Sequence, residues 1–153
     1  MIFRTAKRQD LPAVLALLTQ DENPAAAGTG DPEPEPVSEA HERAFAAIEA
    51  DPRNEMLVLE QDGELVGCLQ LTYVPGLGQG GRERALVEAV RIRADRRGGG
   101  LGARLMELAA ERARERGCGL MQLTSNKRRT AAHRFYERLG DARSHEGFKL
   151  PLT

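Results

Sequence analysis

The stretch RRGGGLGARL, residues 96–105, constrains the fold of this chain more than any other. Three consecutive glycines separate an alternating apolar segment, residues 84–93, from a helical pattern over residues 101–117. Glycine loses more backbone entropy on folding than other residues, so a cluster of glycines indicates a turn whose backbone angles or close contacts require it. The sequence therefore predicts a strand, a tight glycine loop and a long helix in immediate succession.

The remaining elements follow from hydrophobic periodicity. Apolar residues recur at helical spacing over residues 11–18, behind Asp10 as the predicted cap, and over residues 38–50. Two apolar runs joined by Asp62 and Gly63 predict a β-hairpin. Further strands are predicted at residues 1–6, 118–125 and 144–152, a last helix at 130–140, and a proline-rich loop at 22–37.

The order of these elements, β-α-α-β-β-β-α-β-α-β, has no internal repeat and no long linker. It predicts a single α+β domain over residues 1–153 of the 153-residue chain. We expect a central, mostly antiparallel mixed sheet flanked by about four helices.

The composition excludes several classes of protein. The 22 basic and 23 acidic residues nearly cancel, which argues against a nucleic-acid or membrane-surface partner, because both favour clustered positive charge. The first residues lack the apolar core of a signal peptide, and no run approaches the roughly 18 apolar residues of a membrane span. Cys68 and Cys118 have neither CxxC spacing nor histidine partners. We expect small core cysteines, no metal site and a cytoplasmic location.

The glycine loop has the sequence order of a phosphate-binding site. The first amides of a helix lack acceptors within the helix, its dipole favours an anion, and glycine lets the backbone approach the ligand. The string GxxxxGK[ST] is absent. Gly98, Gly100 and Ala103 fit the dinucleotide pattern GxGxx[GA], but the next strand ends in QLTS, without the acid that this pattern requires. A loop that only caps the helix stays open as an alternative.

The segment VRIRADRRGGGLGARLMELAAERARERG resembles the signature segment of the GNAT superfamily of acyl-CoA-dependent N-acyltransferases. Arg97, Gly100 and Gly102 satisfy its pattern [QR]-x-x-G-x-[GA]. The downstream segment AAHRFYERLG, the upstream helix pair and the hairpin extend the resemblance over nearly the whole chain.

This resemblance implies how acetyl-CoA binds. The strand before the glycine loop would bulge and splay from the next strand, the pantetheine arm would enter the gap, and loop amides would bind the diphosphate. The residues implied in acetyl-CoA binding are Val90, Arg91, Ile92, Arg93, Arg96, Arg97, Gly98, Gly99, Gly100, Leu101, Gly102 and Asn126.

Acyl transfer to an amine requires a neutral nucleophile. An alkyl amine with a pKa of ~10.4 is neutral only about once in 2,500 at pH 7, which favours a general base. Glu88 is the candidate, because two-residue alternation places it on one face with Val90 and Ile92, where burial would make it a stronger base. A bulge would shift this alternation, and a solvent-facing glutamate is the alternative. The resemblance also implies a glutamate base on this strand.

Tyr136 is the candidate acid for the departing thiolate. A phenol with a pKa near 10 is protonated at pH 7 and can donate. The resemblance implies this role for the tyrosine of the FY pair, whereas packing beside Phe135 is the alternative. Asp141 departs from the family, which usually has an apolar residue at that position.

The predicted function is transfer of acetyl from acetyl-CoA to the primary amine of a small molecule. A peptide or protein acceptor and a non-catalytic acyl-CoA-binding sensor module are the alternatives. Asp31, Glu33 and Glu35 would attract a cationic amine, whereas TSNKRRTAAHRFY resembles aminoalkylphosphonate N-acetyltransferases and implies a small anionic amine. Relatives often form dimers, so the resemblance also allows a homodimer.

Overall fold

The computed structural model describes residues 1–20 and 35–153. Most of the predicted loop at 22–37, including Asp31 and Glu33, lies outside the described residues. The described chain forms two compact units, Met1–Gln122 and Leu123–Thr153. The boundaries of the predicted single domain, residues 1–153, stay a prediction.

Five strands and four helices follow one another along residues 1–20 and 35–153. They are β1 (Ile2–Thr5), α1 (Leu11–Thr19), α2 (Glu39–Ala50), β2 (Asn54–Gln61), β3 (Glu64–Val74), β4 (Arg84–Ile92), α3 (Leu101–Arg116), β5 (Leu120–Leu123) and α4 (Thr130–Arg138). Short 3-10 turns occur at Arg8–Asp10, Gln79–Gly81 and Ala94–Arg96. Within the described ranges, none of the helices has the length and apolar character needed to cross a membrane.

The strands form one mixed sheet in the order β1-β2-β3-β4-β5. The first four strands pair antiparallel. The residues just before β4 and β5 are bonded to each other, because the Gly119 N–H donates to the Glu83 carbonyl at 2.8 Å. The two strands therefore start side by side and run parallel, as the crossover through α3 requires. The predicted mostly antiparallel mixed sheet is confirmed.

Helices cover both faces of the sheet. Leu57, Val58 and Leu59 are successive residues of β2 and are all completely buried, so both faces of this strand lie in the core. On one face, residues from α1 and α2 pack with the strands in a cluster that contains Leu11, Val14, Phe45, Met56, Val58 and Cys68. Helix α3 buries Leu105, Met106, Ala109 and Ala113. The prediction that Cys68 is a core side chain is confirmed.

Asp10 stabilises the start of α1, but not as the predicted cap. It occupies the N-cap position without a side-chain capping bond to the helix. Its carboxylate instead accepts the Lys7 N–H at 2.7 Å and two bonds from the Arg4 guanidinium, at 2.7 and 3.1 Å. The hydrogen bonds from Arg4 hold the pKa of Asp10 below its ordinary value. Asp10 thereby ties β1 to the turn before α1.

The predicted last strand over residues 144–152 is wrong. Residues 141–153 form neither helix nor strand. Phe148, Leu150 and Leu152 alternate as in a strand, yet they are 92%, 83% and 90% exposed. Alternation describes which side chains would share a face, but a strand also needs a neighbouring strand to satisfy its backbone groups. The described chain supplies none for this segment.

Candidate active site

A β-bulge interrupts strand β4 at Ala89 and Val90, which together oppose Leu69 of β3. Ala89 has a φ of +54°, in the left-handed region that residues other than glycine seldom adopt. An extra residue on one strand leaves a ladder position unpaired and bends the strand. The bulge implied by the family resemblance is therefore present, between Glu88 and the predicted cofactor residues.

The bulge corrects the predicted surroundings of Glu88. Glu88 pairs with Gln70, whereas Ile92 pairs with Gly67. These two partners are three positions apart on β3, so they lie on opposite faces of the sheet. Glu88 therefore does not share a face with Ile92, and its side chain is exposed. The predicted burial among apolar side chains is wrong, and Glu88 is a candidate base only by its place beside the bulge.

A cavity of about 140 Å³ lies against the sheet next to the bulge. Its lining includes Ala89 and Gln70, the residue that pairs with Glu88. Most of the wall is apolar and comes from α1, α2 and the strands below them: Ala6, Leu11, Val14, Leu15, Leu18, Ala44, Phe45, Ile48 and Met56. Lys7 and His41 contribute the basic side chains of the wall.

The glycine loop presents an open helix N-terminus. Gly98 and Gly100 have φ values of +82° and +83°, so both positions favour glycine on conformational grounds. A Cβ added at either residue would meet nothing within 4 Å, so the space in front of the loop is open. The first turn of α3 contains no acidic residue. The first amides of a helix lack acceptors within the helix, so an open space beside them fits an anionic group such as a diphosphate.

The end of β4 directs part of its backbone away from β3. The Arg93 N–H donates to a carbonyl of β3 at 2.8 Å. Because successive residues of a strand direct their backbone groups to opposite sides, Val90 and Ile92 direct theirs away from β3. Arg91 Nη1 donates to the Val90 carbonyl at 2.9 Å, and Arg97 Nε donates to the Ile92 carbonyl at 3.1 Å. The Val90 and Ile92 N–H groups therefore face the side of β4 on which β5 lies.

The side chain of Arg93 is engaged in surface ion pairs. It donates to Asp95 at 2.7 Å and to Glu64 at 3.0 Å. These hydrogen bonds hold the pKa of Arg93 above its ordinary value, and the bond to Asp95 has the larger effect. Arg93 thus fixes the turn that leads from β4 into the glycine loop.

In the second unit, Tyr136 lies half-buried on α4. Its ring meets that of Phe135 edge to face, with the centroids 5.3 Å apart. The backbone carbonyl of Tyr136 accepts the Asp141 N–H at 3.1 Å, which closes the end of the helix. Burial raises the pKa of the Asp141 carboxyl above its ordinary value. The departure from the family at Asp141 therefore places a partly buried acid at the end of α4.

Asn126 organises the turn before α4. Its Oδ1 accepts the Arg128 N–H at 3.0 Å, and its carbonyl accepts the Arg129 N–H at 3.0 Å. The same carbonyl lies 2.8 Å from Nε2 of His133. The asparagine predicted to contact the cofactor thus has a structural role in its own loop.

A polar cluster that the sequence did not indicate attaches α3 to the sheet. Glu55 accepts bonds from Arg112 at 2.8 and 2.9 Å and from the Tyr73 hydroxyl at 2.6 Å. The hydrogen bonds from Arg112 hold the pKa of the Glu55 carboxyl below its ordinary value. Burial, and after it the hydrogen bond to Glu55, raises the pKa of the Tyr73 hydroxyl above its ordinary value. The Arg116 guanidinium lies 4.0 Å from the centre of the Tyr73 ring. Glu55 and Arg112 are 57 positions apart, so no local pattern predicts their contact.

Over residues 1–20 and 35–153, no three histidine, cysteine, aspartate or glutamate side chains are grouped as metal ligands.

The Acetyltransferase (GNAT) family matches residues 11–141, which span both units. The chain belongs to this family. An aminoalkylphosphonate N-acetyltransferase of Salmonella typhimurium is 34% identical over 114 residues, which are 74% of this chain and 73% of that protein. The predicted family and the acetyltransferase class of enzyme are thereby confirmed. Acetyl-CoA is the acyl donor of GNAT acetyltransferases.

Two solved structures share the fold over nearly the full length. A transcriptional regulator from Bacillus halodurans is 41% identical, with a TM-score of 0.86 and 99% of each chain covered. A candidate acetyltransferase from Agrobacterium tumefaciens is 30% identical, with a TM-score of 0.82 and the same coverage. The predicted α+β fold of the family is confirmed.

Proposed function

We propose that this enzyme transfers acetyl from acetyl-CoA directly to the primary amine of a small molecule, with Glu88 as general base and Tyr136 as general acid. The bulge at Ala89 and Val90 carries the proposal, because it lies between the exposed Glu88 carboxylate and the open glycine loop. A bent strand with a base on one side of the bend and an anion site beyond it suits a thioester donor.

The donor would bind along the end of β4 and the start of α3. The Val90 and Ile92 N–H groups would bond to the amides and carbonyls of the pantetheine arm, in a gap between β4 and β5 beyond their shared start. The loop amides from Gly98 to Gly102 would bind the diphosphate, each hydrogen bond to a charged oxygen contributing roughly 1.5–3 kcal/mol. Arg96 and Arg97 add positive charge beside the loop.

The reaction needs one base and one acid. Glu88, directly or through a water molecule, accepts a proton from the amine, whose nitrogen attacks the thioester carbonyl carbon. The C–N bond forms, and the C–S bond breaks with its electron pair leaving on sulfur. The Tyr136 hydroxyl donates its proton to the thiolate. The second proton that the nitrogen loses on forming the amide restores the phenol, and Glu88 releases its proton to water. The products are the N-acetyl amide, CoA and one proton. The half-buried Tyr136 phenol and its match to the family FY pair support this role.

The cavity beside the bulge supports a small acceptor. Its volume of about 140 Å³ accommodates a few heavy atoms rather than a folded segment. The apolar wall suits a short alkyl part of the substrate, and Lys7 would attract an anionic group. This charge agrees with the class of substrate named for the Salmonella relative. Aminoalkylphosphonates and short alkyl amines are therefore the first acceptors to test.

Release of free thiol from acetyl-CoA tests the proposal over a panel of alkyl amines, polyamines, amino acids, aminophosphonates and N-terminal peptides. Replacement Glu88→Gln should lower kcat by about 10²–10⁴-fold on the best amine. The loss should shrink towards pH 10, where more of the amine is already neutral. Tyr136→Phe should lower kcat without raising the Kd for CoA. The matched control is Glu111→Gln, an exposed glutamate of α3, which should leave kcat unchanged.

The two alternatives give different results in the same assay. A preference for peptides over every small amine would replace the small-molecule acceptor with a protein substrate. Saturable CoA binding without turnover of any amine, unaffected by Glu88→Gln and Tyr136→Phe, would indicate a sensor module. A cytoplasmic location and the absence of nucleic-acid and membrane partners stay predictions of the composition.

A further inference from the structure

Gln70 lies in the middle of a row of residues that crosses the sheet from the cavity to Glu88. In the antiparallel register, Met56 of β2 pairs with Gln70 of β3, and Gln70 pairs with Glu88 of β4. Directly paired residues share a face of the sheet, so all three side chains lie on one face. Met56 packs there with residues of α1 and α2, and both Met56 and Gln70 line the cavity. Gln70 therefore lies between the apolar cavity wall and the proposed base.

The side chain of Gln70 is placed to share a ligand atom with Glu88. It is the one side-chain amide among the described residues that line the cavity. The Cβ atoms of directly paired residues are roughly 4.5–5.5 Å apart. A single nitrogen atom in front of the two residues can therefore form a hydrogen bond to each.

A chain of hydrogen bonds defines which atom of the Gln70 amide is available to a ligand. Asn54 Nδ2 donates to Asp51 at 2.9 Å, and Asn54 Oδ1 accepts the Thr72 hydroxyl at 2.8 Å and Gln70 Nε2 at 3.3 Å. The bonds from the Arg53 N–H and then from Asn54 hold the pKa of the Asp51 carboxyl below its ordinary value, so Asp51 is ionised and only accepts. Because Asn54 occupies the nitrogen of Gln70, the Gln70 Oε1 atom lies on the opposite edge of the amide, where it can accept.

We propose that Gln70 Oε1 accepts one N–H of the acceptor amine while Glu88 faces the other, and that these two acceptors restrict the enzyme to primary amines. This inference rests on the proposed acetyl transfer and adds a specificity-determining residue to it. A neutral primary amine has two N–H groups, so it satisfies both acceptors while its lone pair attacks the thioester. A neutral secondary amine has one N–H and leaves one acceptor unpaired. Sites built for a hydrogen bond reject an analogue that lacks it.

The hydrogen bond to Gln70 becomes stronger during the reaction. The nitrogen gains positive charge as it attacks the carbonyl carbon, and hydrogen bonds from charged donors are roughly twice as strong as those from neutral ones. Gln70 neither gives nor takes a proton, so the proton balance of the transfer is unchanged. An interaction made mainly in the transition state affects kcat more than KM. Asn54 acts only through Gln70 and is a positioning residue.

Acetyl transfer to matched amines tests the proposal, with aminoethylphosphonate and propylamine each compared with its N-methyl derivative. The wild-type enzyme should prefer the primary amine at least about tenfold in kcat/KM. Gln70→Leu keeps a similar volume without the amide, and should lower kcat on the primary amine about 10–100-fold and reduce the preference below about threefold. Asn54→Ala should reduce the preference by a smaller factor. The matched control is Gln9→Leu, at an exposed glutamine in the turn before α1, which should leave both values unchanged. An unchanged Kd for CoA checks that each variant is folded.

The outcomes separate the role of Gln70 from the proposed function. No turnover of either primary amine by the wild-type enzyme would overturn the small-molecule acceptor and the role of Gln70 together. Turnover that Glu88→Gln lowers, with the same preference for primary amines in Gln70→Leu and Gln9→Leu, would overturn the role of Gln70 alone. A preference that narrows in Gln70→Leu, while Glu88→Gln is as active as the wild-type enzyme, would support Gln70 and contradict Glu88 as the base.

Discussion

The two ends of α3 use the same residue in the same conformation for different purposes. Gly100 at the start has a φ of +83°, and Gly117 at the end has a φ of +91°, with open space around both. At the C-terminus the last carbonyls are satisfied, because the Gly117 and Cys118 N–H groups donate back to the final turn. At the N-terminus the first turn itself contains no acidic residue. A left-handed glycine ends the helix at one terminus and precedes the first-turn amides, next to open space, at the other.

The two ends of α3 also differ in how they are attached to the sheet. Arg112 and Arg116, in the C-terminal half, bond to Glu55 and Glu83 on the sheet side at 2.8 and 3.0 Å. The N-terminal end is connected through glycines. Fixing the far half of the helix holds the first-turn amides in place while leaving them accessible to a ligand.

The largest effect is expected from removing the ion pair that attaches the C-terminal half of α3 to the sheet. Glu55→Gln removes the charge that Arg112 and Tyr73 surround, and should lower the free energy of unfolding by about 2 kcal/mol, a fall in Tm of about 4–8 °C. Thermal unfolding followed by circular dichroism measures the change. The control Glu111→Gln removes an exposed carboxylate of the same helix and should leave Tm unchanged. Equal stability of the two variants would show that the cluster does not hold α3.

The second prediction exchanges the two glycines in turn for alanine. Gly100→Ala imposes left-handed strain of roughly 1–2 kcal/mol and adds a methyl group in the proposed ligand space, so the Kd for CoA should rise at least about tenfold. Gly117→Ala imposes the same strain and should lower Tm while changing the Kd less than about twofold. Calorimetric titration with CoA gives the Kd of each variant, and thermal unfolding gives its Tm. Equal changes in Kd would mean that the two ends of α3 do not differ in function.

The third prediction concerns acid. The hydrogen bonds from Arg112 lower the pKa of Glu55 below its unfolded value, so its stabilisation is complete above the unfolded pKa and is lost as pH falls through the folded one. The stability of the wild-type protein should therefore decline below about pH 4.5, and that of Glu55→Gln should decline less steeply. Urea unfolding at a series of pH values between 3 and 7 measures both slopes. An equal dependence of the free energy of unfolding on pH in the two proteins would contradict the role given to Glu55.

The smallest effect is expected at α4, which also ends on a left-handed glycine, Gly140 with a φ of +103°. Here Asp141 follows, and burial raises its pKa, so the ionised form opposes folding and the penalty grows as pH rises above the unfolded pKa. Asp141→Asn should raise Tm by about 1–2 °C at pH 7 and leave it nearly unchanged at pH 3.5. Scanning calorimetry at the two pH values measures it. A gain of the same size at both would exclude ionisation as the cause.

The features that local sequence determines were predictable. The strand, glycine loop and helix around residues 84–117, and the hairpin at Asp62 and Gly63, follow from periodicity and turn residues. The left-handed conformation of Ala89 has no such signal in the sequence, because alanine does not favour it. The bulge at Ala89 shifts the alternation of β4, so the sheet face predicted for the Glu88 side chain was wrong. The contact of Glu55 with Arg112 depends on the completed fold.

The C-terminal segment was wrongly predicted for a different reason. Its alternating residues favour a strand, but a strand forms only where another strand completes its hydrogen bonds, and sequence periodicity does not tell whether such a neighbour is present.

The central claim is that the amides of the glycine loop bind the diphosphate of CoA. Two-dimensional ¹H–¹⁵N spectra of the labelled protein test it most directly, in titrations with CoA and with pantetheine, which lacks the diphosphate. CoA should shift the amides of Gly98, Gly100, Leu101 and Gly102, whereas pantetheine should shift those of Val90 and Ile92 and leave the loop unchanged. Loop amides that do not respond to saturating CoA, or that respond equally to both ligands, would contradict the claim.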